Sequence, residues 1–171
     1  MTSAPERVLV AYFSQTAGNT ERVAERLAEG LGADVARIET VEPYPDDYDE
    51  VVEQGRREVD EGYEPEIVGL EVDPGEYDAI CVGTPTWWYT MAPAVRTFMG
   101  HVGWAGRTLV PFMTNGGWPG TVIEDMEALA RGAHVVEPME VRFDSTGGSR
   151  IVTPRSDVEA WVDRVARELG R

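Results

Sequence analysis

The sequence predicts an α/β fold in which helices cover both faces of a parallel sheet. Three observations carry that expectation. Short apolar runs, such as 8–13 (VLVAYF) and 77–83 (YDAICVG), have the length and continuity of strands buried on both sides. Stretches with apolar residues at helical spacing separate these runs. Strand and helix alternate about five times along the 171 residues, the order that builds parallel sheets through crossover helices.

The elements follow in turn. Residues 8–13 read as a buried strand. Over 18–31, Val23, Leu27 and Leu31 recur every four residues with Ala24 and Ala28 beside them, which is one helix face; Gly30 and Gly32 mark its end. A short strand at 35–38 leads to a turn, Glu42-Pro43-Tyr44-Pro45, and then to a charged helix over 48–62 with Val51, Val52 and Val59 inward. Residues 67–72 are a weakly extended edge. After the strand at 77–83 comes an aromatic loop, 84–91, and a helix over 93–101. The next strand is 107–113, followed by a Gly-rich loop, 114–120, and a helix over 121–131. The strand at 134–143 carries Pro138, which marks a bulge or an edge. A helix over 157–169, with Val158, Trp161, Val162, Val165 and Leu169 inward, closes the chain. No repeat, low-complexity tract or linker interrupts 1–171, which reads as a single domain.

Composition narrows the function. Apolar residues make up 42%, enough for a core, and the lone Cys81 sits mid-strand as an inert core thiol without a disulfide partner. Without a signal-peptide pattern or an apolar run of membrane-spanning length, the expectation is a cytoplasmic protein. The formal charge of −16 disfavours nucleic acid and anionic membranes as partners. All 15 basic residues are Arg. With no Lys there is no P-loop Lys for a phosphate and no side-chain Schiff base. The acidic excess reads as a solubility device of the kind that suits high salt, or as a docking face for basic partners. His101 and His134 lack ligand-spaced partners, so no metal is expected.

Three loops at strand carboxyl ends have unusual composition, and ligands of such sheets bind at those ends. The first, Ser14-Gln15-Thr16-Ala17-Gly18-Asn19-Thr20, is small, neutral and hydroxylated just before a helix. Helix N-terminal N–H groups with these hydroxyls suit a phosphate dianion without any cation, and Gly18 lets the backbone approach. Ordinary capping by Thr16 or Asn19 is the plainer alternative. The second loop, Thr84-Pro85-Thr86-Trp87-Trp88-Tyr89-Thr90-Met91, offers flat side chains for a flat ligand, although one of the Trp pair is expected to pack beneath the following helix. The third, Thr114-Asn115-Gly116-Gly117-Trp118-Pro119-Gly120, offers backbone amides and another Trp, or else a flexible turn with Trp118 as a core plug.

Together these motifs resemble the flavodoxin family. "SQTAGNT" is similar to that family's phosphate loop, "PTWWYT" to its first isoalloxazine loop and "TNGGW" to its second. The resemblance implies a doubly wound five-stranded parallel sheet in the order 2-1-3-4-5, binding flavin mononucleotide (FMN) noncovalently. It implies that Ser14, Thr16, Gly18, Asn19 and Thr20, with Gln15 among them, hold the phosphate. Pro85, Thr86, Trp87, Trp88 and Tyr89 would border the ribityl chain and ring. Thr114, Asn115, Gly116 and Gly117, with Trp118, would meet the ring's polar edge. Two departures stand out. The phosphate loop has one residue more than the family's usual six, Ala17 being the extra. No Gly or Asn lies between Gly83 and Gly100, where many flavodoxins use a Gly whose peptide flips to favour the one-electron-reduced flavin. A non-Gly residue at positive φ costs about 1–2 kcal/mol.

The resemblance implies an electron carrier serving redox partner proteins. The alternative is an NAD(P)H-dependent FMN oxidoreductase acting on quinones or similar small acceptors. The missing Gly favours that branch, and Trp118 and Tyr89 would wall its substrate slot; no site for an NADPH 2′-phosphate is apparent. A phosphoacceptor receiver domain needs a Lys, which is absent, and Asp78 lies at the wrong end of its strand. Arg150 reads as part of a surface loop.

Overall fold

The computed structural model describes residues 7–15, 18–146 and 148–171. Strands β1 (Val8–Tyr12), β2 (Asp34–Arg37), β3 (Ala79–Trp87) and β5 (Thr108–Asn115) form the body of a parallel sheet; β4 (Thr90–Met91), β6 (His134–Val135) and β7 (Met139–Arg142) are short. The helices are α1 (Asn19–Leu31), α2 (Tyr48–Glu61), α3 (Pro93–His101), α4 (Val122–Leu129) and α5 (Arg155–Glu168). The order across the sheet is β2-β1-β3-β5-β6, with β7 also on β5 and β4 folding back on β3. Counting β6 and β7 as one interrupted strand, and β4 as a hairpin return, this is the expected 2-1-3-4-5.

Side chains on successive strand residues point to opposite faces, and the sheet has a core on each. On one face Leu9, Ala11, Ile80, Val82 and Leu109 meet Val51 of α2, Val95 and Phe98 of α3 and Met126 of α4. On the other, Val10, Cys81, Val110 and Phe112 meet Val23 and Leu27 of α1 and Trp161 and Val165 of α5. Register runs straight across the middle, Val10 opposite both Val35 and Cys81, and Cys81 opposite Val110. Burial pushes the Cys81 thiol well above its ordinary pKa, which keeps it inert.

The interruption of the fifth strand has a local cause. Pro111 lies inside β5 and has no N–H for a ladder. Leu109 pairs with Val135 and Phe112 with Met139, so three residues oppose two: a bulge. Glu137, at its centre, has φ 46°. Its carbonyl accepts from Trp161 Nε1 at 2.8 Å and its carboxylate from Arg164 Nε at 2.9 Å, which ties the bulge to α5.

Two strands run past their expected ends at the carboxyl edge of the sheet, and one expected edge segment forms no strand. Strand β3 runs on through Pro85-Thr86-Trp87 instead of ending at Gly83, and Trp88-Tyr89 is a two-residue turn into β4. The stretch 84–91 is therefore a hairpin and not a loose loop. Strand β5 likewise continues to Asn115. Residues 67–72 form no strand. They lie against the β2 edge through a single bridge between Thr40 and Ile67. Among the described residues no helix is long and apolar enough to cross a membrane.

Candidate functional site

The end of β1 and the start of α1 are fixed by Ser14. It is 4% exposed, and its hydroxyl accepts from Glu21 N–H at 3.2 Å, capping the helix from seven residues back. The residue at the cap position is Gly18 with φ 71°, a conformation that glycine adopts at little cost. Thr20 turns inward, its Oγ1 2.7 Å from Thr114 Oγ1, so β5 and α1 share a buried hydroxyl pair. Asn19 Nδ2 donates to Gly148 O at 3.1 Å, while Asn19 Oδ1 is buried without a partner among the described residues. Asn19 makes no capping hydrogen bond to α1 among the described residues; the other capping candidate, Thr16, and the extra Ala17 lie outside the described residues.

The hairpin forms the second wall. Trp87 packs edge-on against Phe13 and Tyr44, with ring centroids 5.5 and 5.0 Å away. A Cβ on Gly55 would sit 3.1 Å from the Trp87 ring, so α2 uses a glycine to let the indole beneath it. The more enclosed Trp of the pair, half-buried Trp87, thus lies under α2, not under α3, the helix that follows it. Tyr44 donates to Glu58 Oε1 at 2.7 Å; burial, reinforced by that carboxylate, holds its phenol neutral. Trp88 is 42% exposed, donates from Nε1 to Val52 O at 2.9 Å, and lies beneath the Arg56 guanidinium.

The turn between β3 and β4 is strained. Trp88 has φ 49° and Tyr89 has φ 68°. A two-residue hairpin turn with both φ positive normally takes Asn or Gly, and each side chain held there costs about 1–3 kcal/mol. Neighbours keep the turn in place. Tyr89 O accepts from Thr121 N–H at 2.8 Å, and Thr90 and Thr121 hydroxyls both donate to Asp125. A Cβ on Gly120 would sit 2.1 Å from Tyr89 O, so only glycine lets the third loop come this close.

That loop is less open than its composition suggests. Gly117 N–H donates to Asn115 Oδ1 at 2.7 Å, and Trp118 is 57% exposed, which rules out a core plug.

These pieces enclose two adjoining cavities. The inner one, about 300 Å³, brings together Gln15, Asn19, Thr20, Pro85, Thr86, Trp87, Trp88, Thr114, Asn115 and Gly116 from the expected residues. It falls at the lower end of ligand-sized cavities. Ser14 and Gly18 shape its helix wall without lining it. The outer cavity, about 270 Å³, shares Tyr48, Thr86, Trp88, Asn115 and Gly116 with the inner one and adds Tyr89, Trp118 and Ser145. Gly117 lines neither.

Two contributions escaped the sequence reading. Tyr48, Val51, Val52 and Gly55 of α2 line the inner cavity; the available signal was Gly55, which costs a helix interior about 1 kcal/mol unless something must approach. Phe143, Asp144 and Gly148 also line it, and their signal was "DSTGGS", small and hydroxylated after another strand's carboxyl end. Arg150 is exposed, as a surface-loop residue would be. Asp144 is the one charged side chain lining the inner cavity among the described residues. Hydrogen bonds from the Thr146 hydroxyl and N–H hold its carboxyl below the usual range.

The residues present fit FMN. The cavity offers the open first turn of a helix, uncharged donors and aromatic walls. The buried Asn19 Oδ1, unpartnered among the described residues, is an acceptor suited to a donor, and a hydroxylated chain supplies donors.

A family model described as flavodoxin matches residues 7–164. A curated relative from Chromohalobacter salexigens named NAD(P)H dehydrogenase (quinone) is 34% identical over 114 residues, 61% of this chain and 52% of its own length. The chain thus spans about half the length of that relative. Among solved structures, a provisionally named flavoprotein from Bacteroides eggerthii superposes with TM-score 0.75 at 28% identity, covering 94% of this chain and 98% of the other. A flavoprotein from Lactobacillus acidophilus in complex with FMN superposes with TM-score 0.70 at 20% identity, covering 91% and 97%.

Proposed function

This chain belongs to the flavodoxin family, and on that premise we propose that it holds FMN noncovalently in the inner cavity and moves electrons through it. The observation that carries this reading is the meeting of three strand ends on one cavity: the first turn of α1, the Trp87-Trp88 hairpin, and Asn115-Gly116. FMN, when bound, takes up one or two electrons and returns them. The chain's own residues bind and orient it. The N–H groups of the first turn of α1 other than that of Glu21, which Ser14 caps, would receive the phosphate. Each hydrogen bond to such a charged group contributes about 1.5–3 kcal/mol, so a few replace the missing cation. Asn19 Oδ1 accepts from a ribityl hydroxyl. Trp88 stacks on the ring, and Asn115 and Gly116 meet its polar edge.

Electrons then pass either to a redox partner protein or to a small acceptor. The carrier reading follows from family membership. The oxidoreductase reading is favoured by two observations: an uncharged aromatic cavity adjoins the first, and the Trp88-Tyr89 turn is held by Val52 O and Thr121 N–H and contains no glycine that could reorient. A turn held in this way disfavours a peptide flip that would stabilise one-electron reduction, so transfer in pairs is favoured. Anaerobic stopped-flow mixing of FMN-loaded protein with NADH or NADPH tests this. Direct bleaching of the flavin band supports the oxidoreductase. No bleaching until a separate reductase is added supports the carrier.

A further inference from the structure

We propose that Arg142 sets the potential of the site: its guanidinium, laid against the third loop at Gly117, favours the reduced state of a flavin in the inner cavity. The proposal rests on the FMN reading above and adds to it the residue that tunes the bound group. It starts from Gly117. Gly116 lines both cavities and Gly117 lines neither, so the missing side chain at Gly117 makes no room for a ligand. It makes room for Arg142. A Cβ on Gly117, whose φ is 118°, would sit 2.8 Å from Arg142 Nη2. The guanidinium therefore lies against the backbone of the loop whose Asn115 and Gly116 are read as meeting the ring's polar edge.

The base of this side chain is fixed. Arg142 stands opposite Asn115 in the sheet. Its N–H donates to Thr153 Oγ1 at 2.7 Å, and its carbonyl accepts from Val152 N–H at 2.8 Å. Its charge is not offset: the side chain is exposed and makes no ion pair or hydrogen bond among the described residues. By contrast Arg37 pairs with Glu21, Arg56 over Trp88 pairs with Glu53 and Asp60, and Arg150 faces the Asp144 carboxylate. A guanidinium stays protonated at any working pH. Uptake of two electrons with one proton leaves a flavin ring one unit more negative than before. The chain's net charge of −16 opposes that change, and Asp144 opposes it from the cavity wall. Arg142 favours it, because a nearby opposite charge stabilises the charged form. Its field acts through the loop backbone and is weakened by solvent, so it tunes the bound group without touching it.

The test measures the two-electron midpoint of FMN-loaded protein against a dye of known potential, at one fixed pH above neutral, and the affinity for oxidised FMN by calorimetry. Arg142→Gln should weaken reduced FMN relative to oxidised FMN about tenfold, read as a midpoint about 30 mV lower. Its affinity for oxidised FMN should stay within about twofold of the parent, because the oxidised ring is uncharged. Arg142→Lys keeps the charge and should hold the midpoint within about 10 mV, or about twofold. A midpoint in Arg142→Gln within about 10 mV of the parent would overturn the proposal. Equal falls in the Gln and Lys variants would also overturn it, since shape and not charge would then matter. So would equal weakening of both FMN states in Arg142→Gln. Failure of the parent to take up oxidised FMN would instead sink the cofactor reading, and the role of Arg142 with it.

Discussion

At the α1 end of the inner cavity the residue with positive φ is Gly18, at 71°; at the hairpin end the residues are Trp88, at 49°, and Tyr89, at 68°. The first end is made of groups suited to their backbone: a glycine in a left-handed turn, a Ser14 cap, a Thr20–Thr114 pair. The second end forces large aromatics into conformations they avoid and then clamps them with Val52, Thr121 and Asp125. Anchoring a phosphate needs only N–H groups in a standard place, which unstrained backbone provides. Placing flat walls around a ring needs particular side chains at particular points, and here the backbone bears the strain. The difference separates an anchor from a selector.

Paired substitutions break or sharpen that contrast. Gly18→Asp puts a carboxylate at the helix mouth, where a Cβ meets nothing within 4 Å and Asp tolerates the conformation. It should weaken FMN on the order of 100-fold and leave riboflavin, which has no phosphate, nearly untouched. Trp88→Ala should weaken both ligands about equally, by about tenfold. Similar ratios of FMN to riboflavin affinity in the two variants, measured by calorimetry, would erase the distinction between the ends.

A smaller effect concerns Asp144. Its carboxyl is held below the ordinary value, first by the Thr146 hydroxyl. A depressed folded-state pKa gives stability that is present above the unfolded value, about 3.9, and is lost as pH falls through the folded one. Asp144→Asn should therefore melt slightly below the parent above about pH 5, and the gap should close towards pH 2–3. A gap independent of pH would mean that the Thr146 contacts do not depend on the charge.

The legible parts of the molecule were those where local pattern and tertiary role agree. Helix α3 begins at Pro93 and ends at His101, as its spacing predicts, and the five inward residues of the last helix, Val158, Trp161, Val162, Val165 and Leu169, are all buried. The hairpin was not legible, because a turn of two positive-φ residues is signalled by Asn-Gly and here reads Trp-Tyr. The Ser14 cap escaped because its partner is seven residues on, outside the usual capping spacing. The α2 contribution escaped because Gly55 inside a charged helix signals that something approaches without saying that it is Trp87, which shows only when the two are seen together.

The account stands on a phosphate held without a cation beside a ring held by indoles. Titrating the protein with FMN and, separately, with riboflavin, while following tryptophan fluorescence and heat, addresses both at once. Quenching by both ligands is expected, with FMN bound at least tenfold more tightly, since even one charge-assisted hydrogen bond of about 1.5–3 kcal/mol is worth that much. Equal affinities would remove the phosphate anchor, and fluorescence unmoved by millimolar FMN would contradict the site altogether.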